Sequence, residues 1–455
     1  MQKLELCGLK TSVRPVFDVR NKRRLYVALW HNSPMTSDDV ERFRTHAPEN
    51  LQERFAHRAA HMKPSEIRSL FAVASRPEIV SLAGGMPNLT AIPMEMMAGI
   101  VEKLIRDHGQ EALQYGSGQG HPQLREQICD VMALEGIRAN PNDVLVTTGS
   151  QQALDLISRI FIDPGDVVLV EAPSYVGALG TFSQYEASVV HVEMDNDGLI
   201  PEALRQAIKT LRYQGRRIKF LYLIPNYQNP AGVLLSPDRR TEILDICRAE
   251  KIFIVEDNPY GLLGFDKPSP NAMRAQDSEN VIYLGSFSKT IVPGFRIGWA
   301  LVPQALREKL VIASESSILC PSNFSQMAIS SYLANQPWRD QIASFCKLYK
   351  ERRDAMLESL DAHFPKAATW TKPQGGFYVW VTLPPEIDTK AMMPRAIVAK
   401  VAYVPGTAFY ADGFGSWSMR LSYCYPTPER IREGIASLGK VVEQEMERRG
   451  IPQIN

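Results

Sequence analysis

The sequence has little of what marks several classes of protein. Its 51 lysines and arginines nearly balance its 50 aspartates and glutamates, so its charge gives no reason to expect a nucleic acid or an anionic membrane as a partner. No apolar run approaches the length that crosses a bilayer, and no apolar stretch with a small-residue cleavage site follows Met1. These features predict a soluble protein.

Cysteine is also scarce. The six cysteines are scattered along 455 residues without a Cys-x-x-Cys pair. Disulfide frameworks and zinc sites use cysteines at short, regular spacings, so we expect neither, and we expect no metal site. Reduced thiols in the cytoplasm are the expected state.

What the sequence does contain is a long alternation of short apolar runs with helical patterns. The runs, rich in β-branched and aromatic residues, are NDVLVTTGS, DVVLVEAPSY, ASVVHVEMD, IKFLYLIPN, IFIVEDN and VIYLGSFS. Such alternation is typical of βα units, which build an α/β fold with a mostly parallel sheet flanked by helices on both faces. Shorter strands after residue 321 and a final helix from about Pro428 to Arg449 predict a smaller C-terminal α+β domain.

These changes of pattern predict four segments. Residues 1–50 are basic at their start and weakly periodic, which indicates an N-terminal extension. Disorder is the simplest interpretation, and a nucleic-acid arm and an import sequence are the alternatives. Residues 51–95 are expected to form an N-terminal arm and a helix. Residues 96–320 would form the large α/β domain, and residues 321–455 the small domain.

The most informative stretch is YLGSFSKTIVPGFRIGW, residues Tyr283–Trp299. Lys289 follows Ser286 and Ser288 at the end of a predicted strand, and Arg296 lies across a Pro-Gly turn. A lysine amine beside hydroxyls and a guanidinium is typical of a Schiff-base nucleophile next to a phosphate. The stretch therefore predicts a pyridoxal phosphate (PLP) site at the carboxyl edge of the sheet. Taken alone, Lys289 would also fit a solvated loop.

Other predicted strand ends carry residues for the same ligand. Ser150 and Gln151 begin a helix after a strand, where backbone N–H groups favour an anion. Asp257 follows four apolar residues, and a buried carboxylate needs a partner such as a protonated pyridine nitrogen. A helix cap or an ordinary salt bridge would also explain Asp257. Gly85 lets the backbone approach a ligand closely, or simply makes a turn.

Four further residues are candidates on weaker grounds. Asn229 and Tyr260 are placed to hold the phenolic oxygen of the cofactor, and Tyr175 to stack on its ring. Turn formation or core packing would also explain these three. Arg420 lies in a predicted strand, where a buried guanidinium needs a carboxylate such as that of the substrate.

The ordered set GSQQAL, APSY, YQNPAG, EDNPY, GSFSKT with Arg296, and SMRLSY resembles the class I and II aminotransferases of PLP fold type I. The resemblance covers nearly the whole chain after Leu51. It implies that residues 96–320 form the cofactor-binding domain and that the arm and helix of residues 51–95 line the active site. It implies that Lys289 forms the internal aldimine, that Asp257 pairs with the pyridinium, and that Tyr175 stacks on the ring. Asn229 and Tyr260 would hold the phenolic oxygen.

By the same resemblance, the remaining candidates bind phosphate or substrate. The phosphate would be bound by Ser150, Gln151, Ser286, Ser288 and Arg296, and by Tyr115 of the neighbouring subunit in a homodimer. The substrate would be bound by Arg420, Asn229, Gly85 and Arg68.

The segments PSEIR, SLAGGMPN and NPAG resemble the 2-aminoadipate and kynurenine aminotransferases in particular. This implies ping-pong transamination between an L-amino acid (2-aminoadipate, glutamate, aromatic or branched) and a 2-oxo acid such as 2-oxoglutarate. Arg68 would lie on a mobile N-terminal helix and meet the far end of the substrate. An exposed helical arginine is the alternative for Arg68.

Two other functions use a similar fold. A ligand-sensing transcription regulator is disfavoured because the stretch before Leu51 lacks two helices joined by a tight turn. A fold type I lyase or decarboxylase shares the cofactor, since a fold does not fix the reaction. Arg420 favours transfer over decarboxylation, because a decarboxylase must release the carboxylate that this arginine would bind.

Overall fold

The computed structural model describes residues 3–6, 9–18, 23–28, 54–62 and 76–452. The chain divides into two compact units, residues 1–60 and 61–455. The first unit contains an antiparallel sheet of three strands in the order β1–β2–β3, namely β1 (Lys3–Leu6), β2 (Leu9–Asp18) and β3 (Arg23–Ala28). A 3-10 helix spans His57–His61. These strands lie where the sequence showed only weak periodicity, and the four predicted segment boundaries stay predictions.

The second unit contains two larger sheets and the helices that cover them. Its strands are β4 (Val80–Ser81), β5 (Val144–Thr147), β6 (Val167–Ala172), β7 (Ser188–Asp195), β8 (Gly198–Leu199), β9 (Ile218–Leu223), β10 (Phe253–Asp257), β11 (Val281–Ser286), β12 (Gly298–Leu301), β13 (Thr369–Trp370), β14 (Tyr378–Thr382), β15 (Val401–Ala402), β16 (Val404–Pro405) and β17 (Ser418–Ser422). Its helices are α1 (Met94–Ala112), α2 (Pro122–Ala133), α3 (Ser150–Phe161), α4 (Val176–Gln184), α5 (Pro201–Tyr213), α6 (Pro237–Ala249), α7 (Met273–Gln276), α8 (Gln304–Ile318), α9 (Asn323–Asn335), α10 (Trp338–His363), α11 (Thr389–Val398) and α12 (Pro428–Arg449).

The large sheet has the strand order β5–β12–β11–β10–β9–β6–β7–β8. Six strands run in one direction, while β12 is antiparallel to both of its neighbours and β8 is antiparallel to β7. The prediction of a mostly parallel sheet flanked by helices is confirmed. Strand β12 was missed because its four residues follow a turn and begin with a glycine, which weakens any strand pattern.

Both faces of this sheet are buried. In β9, Phe220 and Tyr222 pack into one apolar cluster, whereas Leu221 and Leu223 pack into another. Because successive side chains of a strand point to opposite faces, each face needs its own cover of helices. This is why the strands read as continuous apolar runs.

The small sheet is antiparallel, in the order β13–β14–β17–β16. Strand β4 pairs in parallel with β15, so that Val80 lies opposite Val401. The stretch just before the Gly-Gly sequence is thereby joined to strands near the other end of the chain. This pairing holds Gly85 beside the carboxyl edge of the large sheet.

Candidate active site

A cavity of about 300 Å³ opens where the loops after β5, β6, β9, β10 and β11 meet. Twelve of the fourteen residues predicted from the sequence line it: Gly85, Ser150, Gln151, Tyr175, Asn229, Asp257, Tyr260, Ser286, Ser288, Lys289, Arg296 and Arg420. Met86, Ile224, Pro259 and Tyr378 complete the lining. The carboxyl edge of the sheet is therefore where the predicted residues meet, as expected for an open α/β sheet.

Lys289 follows the end of β11 by three residues. Its Nζ donates a hydrogen bond to the carbonyl oxygen of Gly85 at 2.8 Å and lies 5.9 Å from the centre of the Phe377 ring. Burial lowers the pKa of Lys289 to about 8, and the charges of Arg420 and Arg296 act in the same direction. A larger share of this amine is therefore neutral near physiological pH, as a nucleophile or a base requires.

Asp257 is the last residue of β10 and is only 4% exposed. Its Oδ2 accepts a hydrogen bond from the Tyr222 hydroxyl at 2.8 Å, whereas its buried Oδ1 has no partner in the described part of the chain. Burial raises the pKa of Asp257 to about 6, against the opposing effects of the Tyr222 hydrogen bond and the Lys289 charge. An unpaired buried carboxylate oxygen is unfavourable, so this atom is suited to accept a hydrogen bond from a ligand.

The polar groups at the open side of the cavity bond one another. Ser286 Oγ donates to Ser288 Oγ at 2.9 Å, and Arg296 Nη1 donates to the same Ser288 Oγ at 3.1 Å. A Cβ atom at Gly149, which has a φ of 74°, would overlap the Arg296 guanidinium. With the N-terminus of α3 at Ser150, these donors suit a phosphate. We call Ser150, Ser286, Ser288 and Arg296 the rim.

Gln151 and Tyr175 contact each other at the start of α4. Gln151 Nε2 donates to Thr181 Oγ1 at 2.7 Å and to the carbonyl oxygen of Gly177 at 3.2 Å. The Tyr175 hydroxyl donates to Gln151 Oε1 at 3.5 Å, and burial raises the pKa of Tyr175 to about 12. The side chain of Gln151 is therefore engaged with α4, while Tyr175 is a neutral ring at the cavity wall.

Arg420 lies in β17 and is 2% exposed. Its Nη1 donates to Asn229 Oδ1 at 2.8 Å and its Nη2 to the carbonyl oxygen of Ala83 at 2.7 Å. Since a guanidinium only donates, Asn229 must present its oxygen to Arg420, which leaves the amide nitrogen to donate elsewhere. Arg420 has no acidic partner among the described residues, and its Nε is unpaired there. We call Asp257, Asn229 and Arg420 the floor.

Tyr378 is the main lining residue that the sequence did not indicate. The Arg420 guanidinium lies 4.2 Å from the centre of its ring, and the Tyr260 hydroxyl donates to its hydroxyl at 3.5 Å. A Cβ atom at Gly85 would overlap the Tyr378 hydroxyl, so glycine is required at that position. Tyr378 and Tyr222 both lie inside apolar strands, where nothing in the pattern distinguishes them from core residues.

Two predicted residues are not in the cavity lining. Tyr115 is exposed in the loop after α1, and its place at the phosphate of a neighbouring subunit stays a prediction. Arg68 lies outside the residues that the structure describes.

Comparison with known proteins identifies the family. Residues 82–438 match the family model of aminotransferase class I and II. The chain is 41% identical over 401 residues to the aromatic-amino-acid aminotransferase 1 of Thermococcus litoralis, an alignment that covers 88% of this chain and 96% of that protein. The chain belongs to the class I and II aminotransferases, as its motifs predicted.

Solved structures agree with this assignment. The chain superposes on the Pyrococcus horikoshii kynurenine aminotransferase, solved in complex with PMP, with a TM-score of 0.84 and 40% identity over 88% of this chain and 99% of that one. The Thermus thermophilus alpha-aminoadipate aminotransferase LysN, solved with N-(5'-phosphopyridoxyl)-L-leucine, gives a TM-score of 0.82 and 33% identity over 88% of this chain and 100% of that one. The predicted fold type I architecture is confirmed.

This protein is thus an aminotransferase with PLP as its cofactor, and its residues fit that group. The unpaired Oδ1 of Asp257 is complementary to a protonated ring nitrogen, and the rim is complementary to a phosphate. Within the described residues, no helix is long and apolar enough to cross a membrane.

Proposed function

We propose that this enzyme transfers the amino group of an L-amino acid to a 2-oxo acid such as 2-oxoglutarate, and that Lys289 moves the proton. The observation that carries this proposal is Arg420, a buried guanidinium at the same cavity as Lys289 and without an acidic partner among the described residues. Such a group is complementary to the α-carboxylate of an amino acid. A transferase keeps that carboxylate, whereas a decarboxylase must release it.

PLP, when bound, supplies a carbon that accepts the amino group and a protonated ring that withdraws electrons from the substrate Cα. Asp257 would hold the proton of the ring nitrogen through Oδ1, while Tyr222 fixes Oδ2. Asn229 and Tyr260 would hold the phenolic oxygen, and Tyr175 would stack on the ring. The rim, together with the backbone of Gln151, would hold the phosphate.

Lys289 would perform the proton transfer. With its pKa lowered by burial to about 8, its Nζ can accept the Cα proton of the substrate and release it again. The Gly85 carbonyl fixes Nζ at 2.8 Å, which limits the positions that the amine can take. Because the amino donor and the oxo acid would use the same cavity in turn, with the cofactor carrying the amino group between them, the first product must leave before the oxo acid binds, and the kinetics should be ping-pong.

The lining favours an aromatic donor. Met86, Ile224 and Tyr378 offer apolar surface, and the described lining has no cation besides Lys289, Arg296 and Arg420. The relatives named for aromatic amino acids and for kynurenine support this choice. An acidic donor such as 2-aminoadipate or glutamate would need a further cation, and Arg68 is the predicted one. Branched donors are a third class.

A homodimer is the proposed assembly, with Tyr115 contacting the phosphate in the neighbouring subunit. Tyr115 is 77% exposed and the adjacent Leu113 is 72% exposed, which supports burial of this loop against another chain. The five cysteines described are free, which supports a cytoplasmic place in amino acid metabolism.

Single-turnover measurements would test the proposed donor. The PLP-loaded enzyme is mixed separately with phenylalanine, kynurenine, 2-aminoadipate, glutamate, leucine, valine and alanine, and loss of the cofactor absorption band is followed. We expect the aromatic donors to react fastest, and Arg68→Ala to slow only the acidic ones. If acidic donors are fastest and Arg68→Ala removes that preference, the enzyme is of the 2-aminoadipate type. If no donor changes the band, the proposal fails.

A further inference from the structure

Five buried polar residues form a chain of hydrogen bonds outside the cavity lining. Arg240 Nη2 donates to Asn226 Oδ1 at 2.6 Å, and Asn226 Nδ2 donates to Asn258 Oδ1 at 3.0 Å. Asn258 Nδ2 then donates to Glu135 Oε1 at 2.7 Å, and the Tyr283 hydroxyl donates to Glu135 Oε2. All five are buried, and the catalytic roles above use none of them.

The direction of this chain is fixed by its two ends. A guanidinium has no acceptor, so Arg240 forces Asn226 to present its oxygen and hence to donate from its nitrogen. Asn258 must in turn accept with its oxygen and donate with its nitrogen. The last member must therefore accept, and an ionised Glu135 can only accept. Neither Asn226 nor Asn258 can flip its amide without placing a donor against a donor or an acceptor against an acceptor.

These hydrogen bonds join the loop that carries Asn229 to the loop that carries Tyr260. Asn226 precedes Asn229 by three residues, and Asn258 stands between Asp257 and Tyr260. We propose that Glu135 is a positioning residue for the cofactor, because as the terminal acceptor it holds these two loops in one arrangement. The inference rests on the proposed function, since it assumes that Asn229, Asp257 and Tyr260 hold PLP.

The surroundings of Glu135 support a positioning role. A Cβ atom at Gly261 would overlap Glu135 Oε1. The Glu135 carboxylate therefore packs directly against the loop that carries Tyr260, with no room for another atom between them. At the other end, Arg240 also donates to the carbonyl oxygens of Leu235 and Asn271, at 3.0 Å and 3.1 Å. The chain of hydrogen bonds is thus anchored to the backbone at Arg240 and is in van der Waals contact with the Tyr260 loop at Glu135.

Exchanging donor and acceptor across one bond tests this proposal. Asn258→Asp sets a carboxylate against the Glu135 carboxylate, whereas Glu135→Gln can still offer its oxygen to Asn258 and loses only the acceptor for the Tyr283 hydroxyl. The double variant E135Q/N258D restores a donor–acceptor pair: the glutamine amide at position 135 donates to the new carboxylate and accepts from Tyr283. The new carboxylate still accepts from Asn226.

The measurement is the dissociation constant for PLP, determined from the absorption of bound cofactor at about pH 7 and at about pH 9.5. Burial already raises the pKa of Glu135 to about 7 and a second carboxylate raises it further, so the penalty in N258D should be largest at the higher pH. We expect N258D to bind PLP about tenfold more weakly or worse, and E135Q to stay within about threefold of the parent. We expect E135Q/N258D to return to within about threefold of the parent, because the two changes are coupled.

Glu445→Gln is the matched control. Glu445 is also a buried acid, and its Oε2 accepts a hydrogen bond from Arg395 Nη2 over 2.6 Å. This pair does not line the cavity. E445Q should lower the melting temperature and leave PLP affinity unchanged. If N258D and the double variant are equally impaired, or if N258D binds as the parent does, the inference is wrong. It is also wrong if E445Q weakens PLP binding as much as N258D, since affinity would then simply follow stability. If the parent protein itself binds no PLP, the proposed function fails instead.

Discussion

The rim and the floor differ in how many of their polar groups have hydrogen-bond partners within the protein. At the rim, Ser286, Ser288 and Arg296 bond one another, and Arg296 is exposed. At the floor, Asp257 and Arg420 are almost fully buried, and each keeps an atom without a partner in the described chain. Electrostatic interactions are stronger where water is excluded, so the floor should depend more on each of its groups than the rim does.

Lys289 lies between rim and floor, and its loss should have the largest effect. In Lys289→Ala, the amine that moves the proton is gone, so turnover should fall by roughly a hundred- to ten-thousandfold. The absorption band of the lysine-bound cofactor should disappear as well. Lys372→Ala, an exposed lysine elsewhere, should leave both unchanged. Retained turnover in Lys289→Ala would overturn the catalytic assignment.

Asp257→Ala tests the floor. It removes the buried partner of the ring nitrogen, and loss of one member of a buried charge pair costs about 3–5 kcal/mol, so turnover should fall by at least about a hundredfold. Tyr222→Phe removes only one neutral hydrogen bond to Asp257 and should lower turnover by no more than about tenfold. Asp166→Ala, another buried acid, should reduce stability alone. Equal effects of Asp257→Ala and Tyr222→Phe on turnover would contradict this account.

The pH dependence of cofactor capture tests the state of Lys289. Its neutral amine is the form that reacts with the PLP aldehyde, and its pKa is lowered to about 8. The capture rate of the cofactor-free protein should therefore rise about tenfold per pH unit below about pH 8 and level off above it. Asp257, whose pKa is about 6, is already ionised in the upper part of that range. A rate that keeps rising to about pH 10 would show an ordinary lysine.

Ser288→Ala tests the rim and should have the smallest effect. It removes one hydroxyl among several donors in a partly exposed site, a loss of about 0.5–1.5 kcal/mol, so PLP should bind roughly two- to tenfold more weakly. Ser316→Ala, on the surface of α8, should leave the affinity for PLP unchanged. If Ser288→Ala lost more PLP affinity than Asp257→Ala does in the same assay, the proposed order of rim and floor would be reversed.

Much of the site was readable from the sequence because its residues follow strand ends. Asp257 ends β10 and Lys289 follows β11, and a polar residue directly after an apolar run stands out. The parallel arrangement of the sheet then brings such ends to one edge, even when they are far apart in the chain. Most of the twelve predicted residues that line the cavity were found for this reason, whereas Arg420 lies within β17.

Tyr378 and Tyr222 escaped prediction because they lie in strands, where function and core packing look alike. Tyr378 reaches Arg420 because β14 pairs with β17, placing Trp380 opposite Arg420, and strand register between distant segments cannot be read from periodicity. The pairing of β4 with β15 was hidden for the same reason. Glu135 joins the site through Asn258, a contact between residues far apart in sequence.

The most direct test of the account asks whether Arg420 binds the substrate carboxylate. Single-turnover rates are compared for L-phenylalanine and for phenethylamine, which lacks the carboxylate, in the parent enzyme and in Arg420→Gln. Truncating a buried charge pair costs about 2–5 kcal/mol, so the parent should prefer phenylalanine by roughly thirtyfold or more, and Arg420→Gln should lose most of that preference. If Arg420→Gln keeps the full preference, the floor is not the carboxylate site.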